Sequence, residues 1–188
     1  MERLAALGGG SAHPPALDVS VVARKARRWV GIDQSFNATG VVWLESGGGV
    51  VTIVRAKTLV AEATEGETGT MKMLTQAKSL ADQLKAEDLS GDVVIFEQPP
   101  LGKGLHESSV PLLSALSVIF ALDETTPVAA MHSGRWKTVV GGTGRGKKSA
   151  HATLPHIKGL RGLEKVTNES QRDALCIGLA WMVDHNDH

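Results

Sequence analysis

The sequence has few of the features that mark secreted or membrane proteins. Cys176 is its single cysteine among 188 residues, so no disulfide can form within the chain and no cysteine cluster can hold zinc. The longest apolar stretch, 110–122, is interrupted by Ser114 and Ser117 and is shorter than the ~20 residues of a membrane-spanning helix. The first residues lack the charged-then-apolar order of a secretory signal. We therefore expect a cytoplasmic protein without membrane contact.

The sequence also has no net charge, but its basic and acidic residues are concentrated in different segments of the chain. The sequence has 20 lysines and arginines and 20 acids. Eight of the basic residues and only one acid fall within 131–165, whereas 60–100 holds eight acids and three lysines. The basic segment is either a surface that binds a polyanion or a solvated face whose counter-charges come from the fold. The charge alone does not decide between these interpretations.

The composition and length are those of one globular domain. Apolar residues make up 42% of the chain and charged residues 21%, which excludes a disordered or collagen-like protein. Residues 1–28 lack a hydrophobic period and end in a basic run, so we interpret them as a flexible basic N-terminal arm. Residues 29–188 form the expected domain.

Hydrophobic patterns predict a sheet covered by helices. Three runs rich in Val, Ile and Thr, at 29–33, 39–44 and 50–59, are typical of antiparallel strands. The later strands, at 93–96 and 127–131, alternate with helical patterns at 70–84, 110–122, 135–140, 147–157 and 170–182. This order predicts an α/β fold with a mixed five-stranded sheet. A three-strand antiparallel meander is continued by parallel strands, and helices cover both faces.

Four acids stand where these elements bring them together. Asp33 and Glu97 end two predicted strands and therefore lie at one edge of the sheet. Asp173 lies on the last helix, with Glu169 one turn earlier on the same side. Clustered carboxylates without cysteine are hard oxygen ligands suited to Mg²⁺, for which Mn²⁺ can substitute. Two such ions about 4 Å apart can activate water and stabilise the leaving oxygen of a phosphodiester.

A glycine loop at 141–149 almost matches the phosphate-binding loop of nucleotide hydrolases. Lys148 occupies the position whose hydroxyl should bind Mg²⁺, and Ser149 comes one residue late. The loop still opens a basic helix, where backbone amides and lysines can hold a phosphate. A simple loop at the start of a helix is the alternative.

Four short motifs follow one another along most of the chain. They are Gly31-Ile32-Asp33 with Thr39-Gly40, Phe96-Glu97-Gln98, Lys137-Thr138-Val139-Val140-Gly141 leading to Lys147, and Arg172-Asp173-Ala174-Leu175. Together they resemble the motifs of the RuvC family of Holliday-junction resolvases. The resemblance implies a ribonuclease H-like fold, a homodimer, and Mg²⁺-dependent nicking of four-way junctions or related branched DNA in a bacterial cell or a phage-infected host.

The resemblance also implies roles for individual residues. Asp33, Glu97 and Asp173 would be metal ligands. Ser170 stands where the family usually has an acid or a histidine, so we expect Glu169, one residue away and on the helix face of Asp173, to be the fourth ligand. Lys147, which we count among the catalytic residues, or Lys148 would approach the scissile or a neighbouring phosphate, together with Lys137 or Arg135. The residues expected to bind DNA are Arg135, Lys137, Arg145, Lys147 and Lys148.

Two features of the chain depart from this family or suggest another class. Pro99 and Pro100 follow Glu97-Gln98, where the family often has an aromatic residue, so a compact viral-type nuclease with broader branch tolerance would also fit. Nucleotide-binding phosphotransferases and ATPases stay open as well, through the hairpin from Gly31 to Gly40 or the loop from Gly141 to Lys148. The apolar helix at 110–122 exceeds what the core needs and is expected to contribute to a dimer contact.

Overall fold

A mixed six-stranded sheet runs through the molecule. The computed structural model describes residues 17–91, 93–99, 105–142 and 146–185. The strands are β1 (Arg27–Asp33), β2 (Thr39–Gly47), β3 (Val50–Leu59), β4 (Val93–Glu97), β5 (Val128–Met131) and β6 (Leu160–Arg161). The helices are α1 (Gly69–Lys85), α2 (Leu105–Ala121), α3 (Ser133–Gly141), α4 (Lys147–Thr153) and α5 (Glu169–Asp184). In the order β5-β4-β1-β2-β3-β6, the strands β1 to β3 form an antiparallel meander and the other neighbours pair in parallel.

The predicted α/β fold is confirmed, with one strand more than the sequence indicated. Strand β6 has two residues and pairs in parallel with Val51 and Thr52 of β3. Two residues are too few to show an alternating pattern, so the sequence predicted five strands. The helix expected over 147–157 ends at Thr153, where the chain turns into a 3-10 turn containing Pro155. Proline lacks the amide hydrogen that would continue the α-helix.

Helices cover both faces of the sheet, as the alternation of side chains along the strands requires. On one face, Trp29 of β1 packs with Leu175 and Leu179 of α5, and α3 and α4 complete this layer. On the other face, Val30 of β1 packs in a second cluster with α1 and α2, represented by Leu80 and Val118. The last helix therefore crosses the centre of the sheet next to β1.

Residues 17–28, which the sequence analysis assigned to the arm, belong to the folded domain. Val19 and Ala23 are buried, and the amide of Val19 donates a 3.0 Å hydrogen bond to the carbonyl of Lys158. Strand β1 begins at Arg27, two residues before the predicted start. The domain therefore starts before Trp29, and residues 1–16 of the expected arm lie outside the described residues.

Helix α2 turns small residues inward and large apolar residues outward. The inward Ser114 and Ser117 are buried, and their hydroxyls donate to the carbonyls of Val110 and Leu113 at 2.9 and 2.8 Å. The exposed side chains include Leu112, Ile119 and Phe120. This helix lacks the length and apolar character to cross a bilayer, and so do the other helices in the described ranges.

Candidate active site

Asp33 and Glu97 end two neighbouring parallel strands at the same edge of the sheet. Ile32 of β1 pairs with Phe96 of β4, which places the next residue of each strand side by side. Gln34 joins the two strand ends, because its amide oxygen accepts from the backbone amide of Glu97 at 3.1 Å and its amide nitrogen donates to the Glu97 carbonyl. The positions of the two acids are therefore fixed by backbone pairing.

Two glycines allow α5 to lie directly on the strands that carry Asp33. A Cβ atom at Gly31 would be 2.3 Å from the carbonyl oxygen of Ala174, and one at Gly40 would be 2.1 Å from that of Ser170. Gly40 pairs with Asp33 across the β1–β2 ladder, so the first turn of α5 lies over the end of β1. The backbones of these two glycines are covered by α5, and this disfavours the hairpin from Gly31 to Gly40 as a phosphate-binding device.

Asp173 of α5 is buried and held by two side chains of α4. Asp173 is only 3% exposed. The ammonium of Lys147 pairs with Oδ2 of Asp173, and Nε2 of His151 is 2.6 Å from Oδ1. Lys147 also lies 2.8 Å from Oε1 of the exposed Glu169. Glu169 and Asp173 thus share one helix face, as predicted from their spacing.

The acids of the site, of which Asp173 is buried and Asp33 and Glu97 are half-buried, destabilise one another in their charged forms. Burial, together with the charges of Asp173 and Glu97, raises the pKa of Asp33 from 3.8 to about 7, although Lys147 and Lys137 partly oppose the change. Burial also raises the pKa of Glu97, more than the charge of Lys137 lowers it. The two strand-end carboxylates are therefore short of positive charge.

The neighbouring residues offset only part of this lack of positive charge around the acids. Partial burial disfavours the charged form of Lys147, but its hydrogen bonds to Asp173 and Glu169 raise its pKa above the usual range. The same ammonium lowers the pKa of Glu169. The indole N–H of Trp136 favours ionised Glu97 as well, yet this buried group makes no hydrogen bond of good geometry. The site therefore holds a buried N–H donor beside the half-buried carboxylate of Glu97.

The donor set fits a hard divalent cation. Carboxylate oxygens are the ligands that Mg²⁺ and Mn²⁺ prefer, and a cation would counteract the burial and the repulsion that raise the pKa of Asp33. In the described part of the chain, no three acid or histidine side chains stand close enough to hold one ion together. Lys147 engages Asp173 instead.

The other residues expected at the site differ in their surroundings. The ammonium of Lys137 is 4.9 Å from the ring centroid of Trp136, and its charge acts on both strand-end acids. Lys148 is exposed at the start of α4. Arg135 forms a bidentate ion pair with Asp184 at the opposite end of α5, so it is not brought to the acids. Arg145 and Pro100 lie outside the described residues.

Sequence reasoning missed Gln34 and His151. Gln34 directly follows the strand-end Asp33, and a polar residue at that position was an available signal. His151 is four residues after Lys147 and so shares its helix face, but its contact with Asp173 spans 22 residues and depends on how α4 packs on α5.

Comparisons with known proteins identify the fold. No family model matches the sequence, and no curated protein matches it. The structure is similar to that of Thermus thermophilus RuvC in complex with a Holliday junction substrate, with a TM-score of 0.61 and 13% identity over 81% of this chain and 90% of that chain. A second Thermus thermophilus RuvC structure has a TM-score of 0.61 and 16% identity over 81% of this chain and 92% of that chain. The chain therefore has a RuvC-like, ribonuclease H-like fold.

Proposed function

We propose that the protein is a Mg²⁺-dependent DNA endonuclease that nicks four-way junctions or related branched DNA. The observation that carries this proposal is that Asp33, Glu97 and Asp173, from β1, β4 and α5 of a RuvC-like fold, lie near enough for their charges to act on one another. A neighbour of the same fold is described in complex with a Holliday junction substrate, which supports branched DNA as the substrate class.

The chain's own contribution is a group of carboxylates placed by strand pairing and helix packing. Asp33, Glu97 and Asp173 would hold the metal, one or two Mg²⁺ or Mn²⁺ ions, and Glu169 offers a fourth carboxylate beside Asp173. Bound there, the metal would supply Lewis-acid charge to a phosphate and lower the pKa of an attacking water. Gln34 fixes the backbone of Glu97 and therefore the point of the strand end from which this side chain extends.

Lysines would supply the remaining positive charge. In the structure, the ammonium of Lys147 is divided between Asp173 and Glu169. If these carboxylates held a cation, the ammonium of Lys147 would be available to pair with a phosphate oxygen, where negative charge develops during hydrolysis. Lys137, Lys148 and Arg145 extend the proposed DNA-binding set, together with the exposed Arg135, which pairs with Asp184 in the structure.

We also infer that two copies of the chain act together. A four-way junction has two equivalent strands to cut, and a two-fold symmetric dimer presents two equivalent sites. The outward face of α2 carries large apolar side chains that the core does not cover, including Leu112, Ile119 and Phe120. A second copy of this chain is the occupant that the symmetry of the substrate favours.

The direct test is cleavage of a synthetic four-way junction in MgCl₂ and in EDTA. Loss of a group that merely orients a ligand costs about 10–100-fold, so Asp33→Asn, Glu97→Gln and Asp173→Asn should each lower nicking by more than about 100-fold. Asp82→Asn removes an exposed carboxylate of α1 and should cleave at the wild-type rate. Full activity in EDTA or in any of the three variants would contradict the site. ATP hydrolysis without nicking would favour the phosphotransferase alternative.

A further inference from the structure

Helix α4 engages both oxygens of the Asp173 carboxylate. Lys147 and His151 are four residues apart and therefore lie on one face of this helix. Lys147 meets Oδ2 of Asp173, and Nε2 of His151 is 2.6 Å from Oδ1. Each carboxylate oxygen therefore has its own partner, a lysine for one and a histidine for the other.

The two partners of Asp173 differ in how firmly they can hold it. The side chain of Lys147 is 41% exposed, has four rotatable bonds and is shared with Glu169. The His151 side chain is 15% exposed and has a planar ring with two rotatable bonds. A carboxylate accepts hydrogen bonds, so Nε2 of His151 carries the hydrogen and donates it to Oδ1. The histidine contact fixes the orientation of the carboxylate, and the lysine contact can be exchanged.

We propose that His151 is a positioning residue for metal binding: it holds Oδ1 of Asp173 and leaves Oδ2, which Lys147 covers in the structure, as the oxygen available to a divalent cation. The inference rests on the proposed function, because it assigns Asp173 to the metal. Residues that donate a hydrogen bond to a ligating carboxylate fix its direction, and their loss typically weakens metal binding by about 10–100-fold. His151 acts through Asp173 and needs no contact with DNA.

The experiment is a calorimetric titration of the full chain with Mn²⁺ alone, without DNA. The His151→Ala variant should bind Mn²⁺ about 10–100-fold more weakly than the wild type. His151→Gln keeps an N–H donor and should recover most of the affinity. His156→Ala is the matched control, because His156 is exposed in the 3-10 turn that follows α4. Thermal unfolding without metal checks that each variant is folded.

A double-mutant cycle shows whether the effect passes through Asp173. In the Asp173→Asn background, His151→Ala should change the Mn²⁺ affinity by less than about two-fold, since coupled residues are not additive. Wild-type affinity in folded His151→Ala would overturn the inference. Equal weakening in His151→Ala and His151→Gln would also overturn it, in favour of direct ligation by the ring.

The outcomes separate this inference from the proposed function. A wild-type protein that binds Mn²⁺ but nicks no junction would defeat the nuclease proposal and leave the role of His151 intact. A wild-type protein that binds no Mn²⁺ would defeat both. Junction nicking that is lost in Asp173→Asn, combined with unchanged Mn²⁺ binding in His151→Ala, would defeat only the positioning role.

Discussion

At the scale of single residues, the fold keeps three negatively charged carboxylates near one another. Backbone pairing brings Glu97 beside Asp33, and helix packing adds Asp173, so none of the three can move far from the others. Burial and this repulsion raise the pKa of Asp33 to about 7. Without metal, the folded state is therefore destabilised when Asp33 ionises, and the measurable consequence is a dependence of stability on pH.

The first prediction concerns Asp33→Asn in EDTA. The unfolded pKa is near 3.8 and the folded value is about 7, so the stabilisation is complete below pH 3.8 and is lost as the pH rises through 7. The wild type should lose on the order of 2–4 kcal/mol of unfolding free energy across this window relative to the variant. Urea unfolding at several pH values measures the difference, with Asp82→Asn as control. Parallel curves for wild type and Asp33→Asn would contradict the assignment.

The residues of the site were predictable to the extent that their own elements place them. Asp33 and Glu97 could be placed at one edge because each ends a recognisable strand, and the structure puts them there. His151 could not be placed, because its contact with Asp173 depends on the packing of two helices that are separate in sequence. Arg135 was expected at the DNA from the resemblance, but nothing in the sequence indicated its ion pair with Asp184.

At the scale of elements, the distance between α5 and the sheet decides whether the acids meet. Gly40 has no side chain, and the backbone of α5 occupies the space where a Cβ would stand, 2.1 Å from the Ser170 carbonyl oxygen. Backbone atoms of a helix cannot move aside singly. Any side chain at Gly40 must therefore push the first turn of α5 away from the strands, and Asp173 with it.

Gly40→Ala should consequently reduce both stability and function. Overpacking of this kind costs about 1–3 kcal/mol of unfolding free energy, and the displaced Asp173 should abolish Mg²⁺-dependent nicking. Gly47→Ala is the matched control in the same strand, because the nearest atom to its added Cβ is 4.0 Å away. Urea unfolding and junction cleavage are measured for both variants. A stable and active Gly40→Ala protein would show that α5 does not need this close approach.

The elements themselves were predicted more fully than their ends. Strands β1 to β3 carry strong apolar patterns, and the meander that they form was expected. Strand β6 exists because Leu160 and Arg161 lie beside Val51 and Thr52 of β3, a long-range pairing that two residues cannot encode by pattern. The start of the domain could not be predicted for the same reason. Val19 is buried, and its amide donates to the carbonyl of Lys158, which is distant in sequence.

At the scale of the whole molecule, several basic residues of the segment 131–165 form hydrogen bonds or ion pairs within the fold. Lys165 donates to the carbonyls of Ile53 and Val54, Arg135 pairs with Asp184, and Lys147 pairs with the acids of the site. For these members, counter-charges and acceptors within the fold account for the basic residues. Lys148 is exposed and belongs to the DNA-binding set that we propose.

The final prediction follows from the two faces of α2. Among its described side chains, the inward face carries the buried Ser114 and Ser117, while Ala115 and Val118, with Leu113 and Ala121 partly buried, pack against the core. Its outward face is apolar, and Phe120 is 66% exposed. Contiguous exposed apolar surface of this kind marks an interaction site, and we propose a second copy of the chain as its occupant.

The double variant Ile119→Glu with Phe120→Glu should convert a dimer into a monomer. Sedimentation of the wild type at micromolar concentration should give twice the 19.8 kDa chain mass, and the variant should give one chain mass. Substitutions at exposed positions usually change unfolding free energy by no more than about 0.5 kcal/mol, so the monomer should remain folded.

Val21→Glu introduces the same charge at an exposed valine in the layer of the opposite sheet face, and it should leave the dimer intact. A monomeric wild type, with and without junction DNA, would show that the apolar face of α2 has another occupant. With a dimeric wild type, the monomeric variant should still bind metal at Asp33, Glu97 and Asp173, yet cut the two equivalent strands of a junction in separate, uncoupled events.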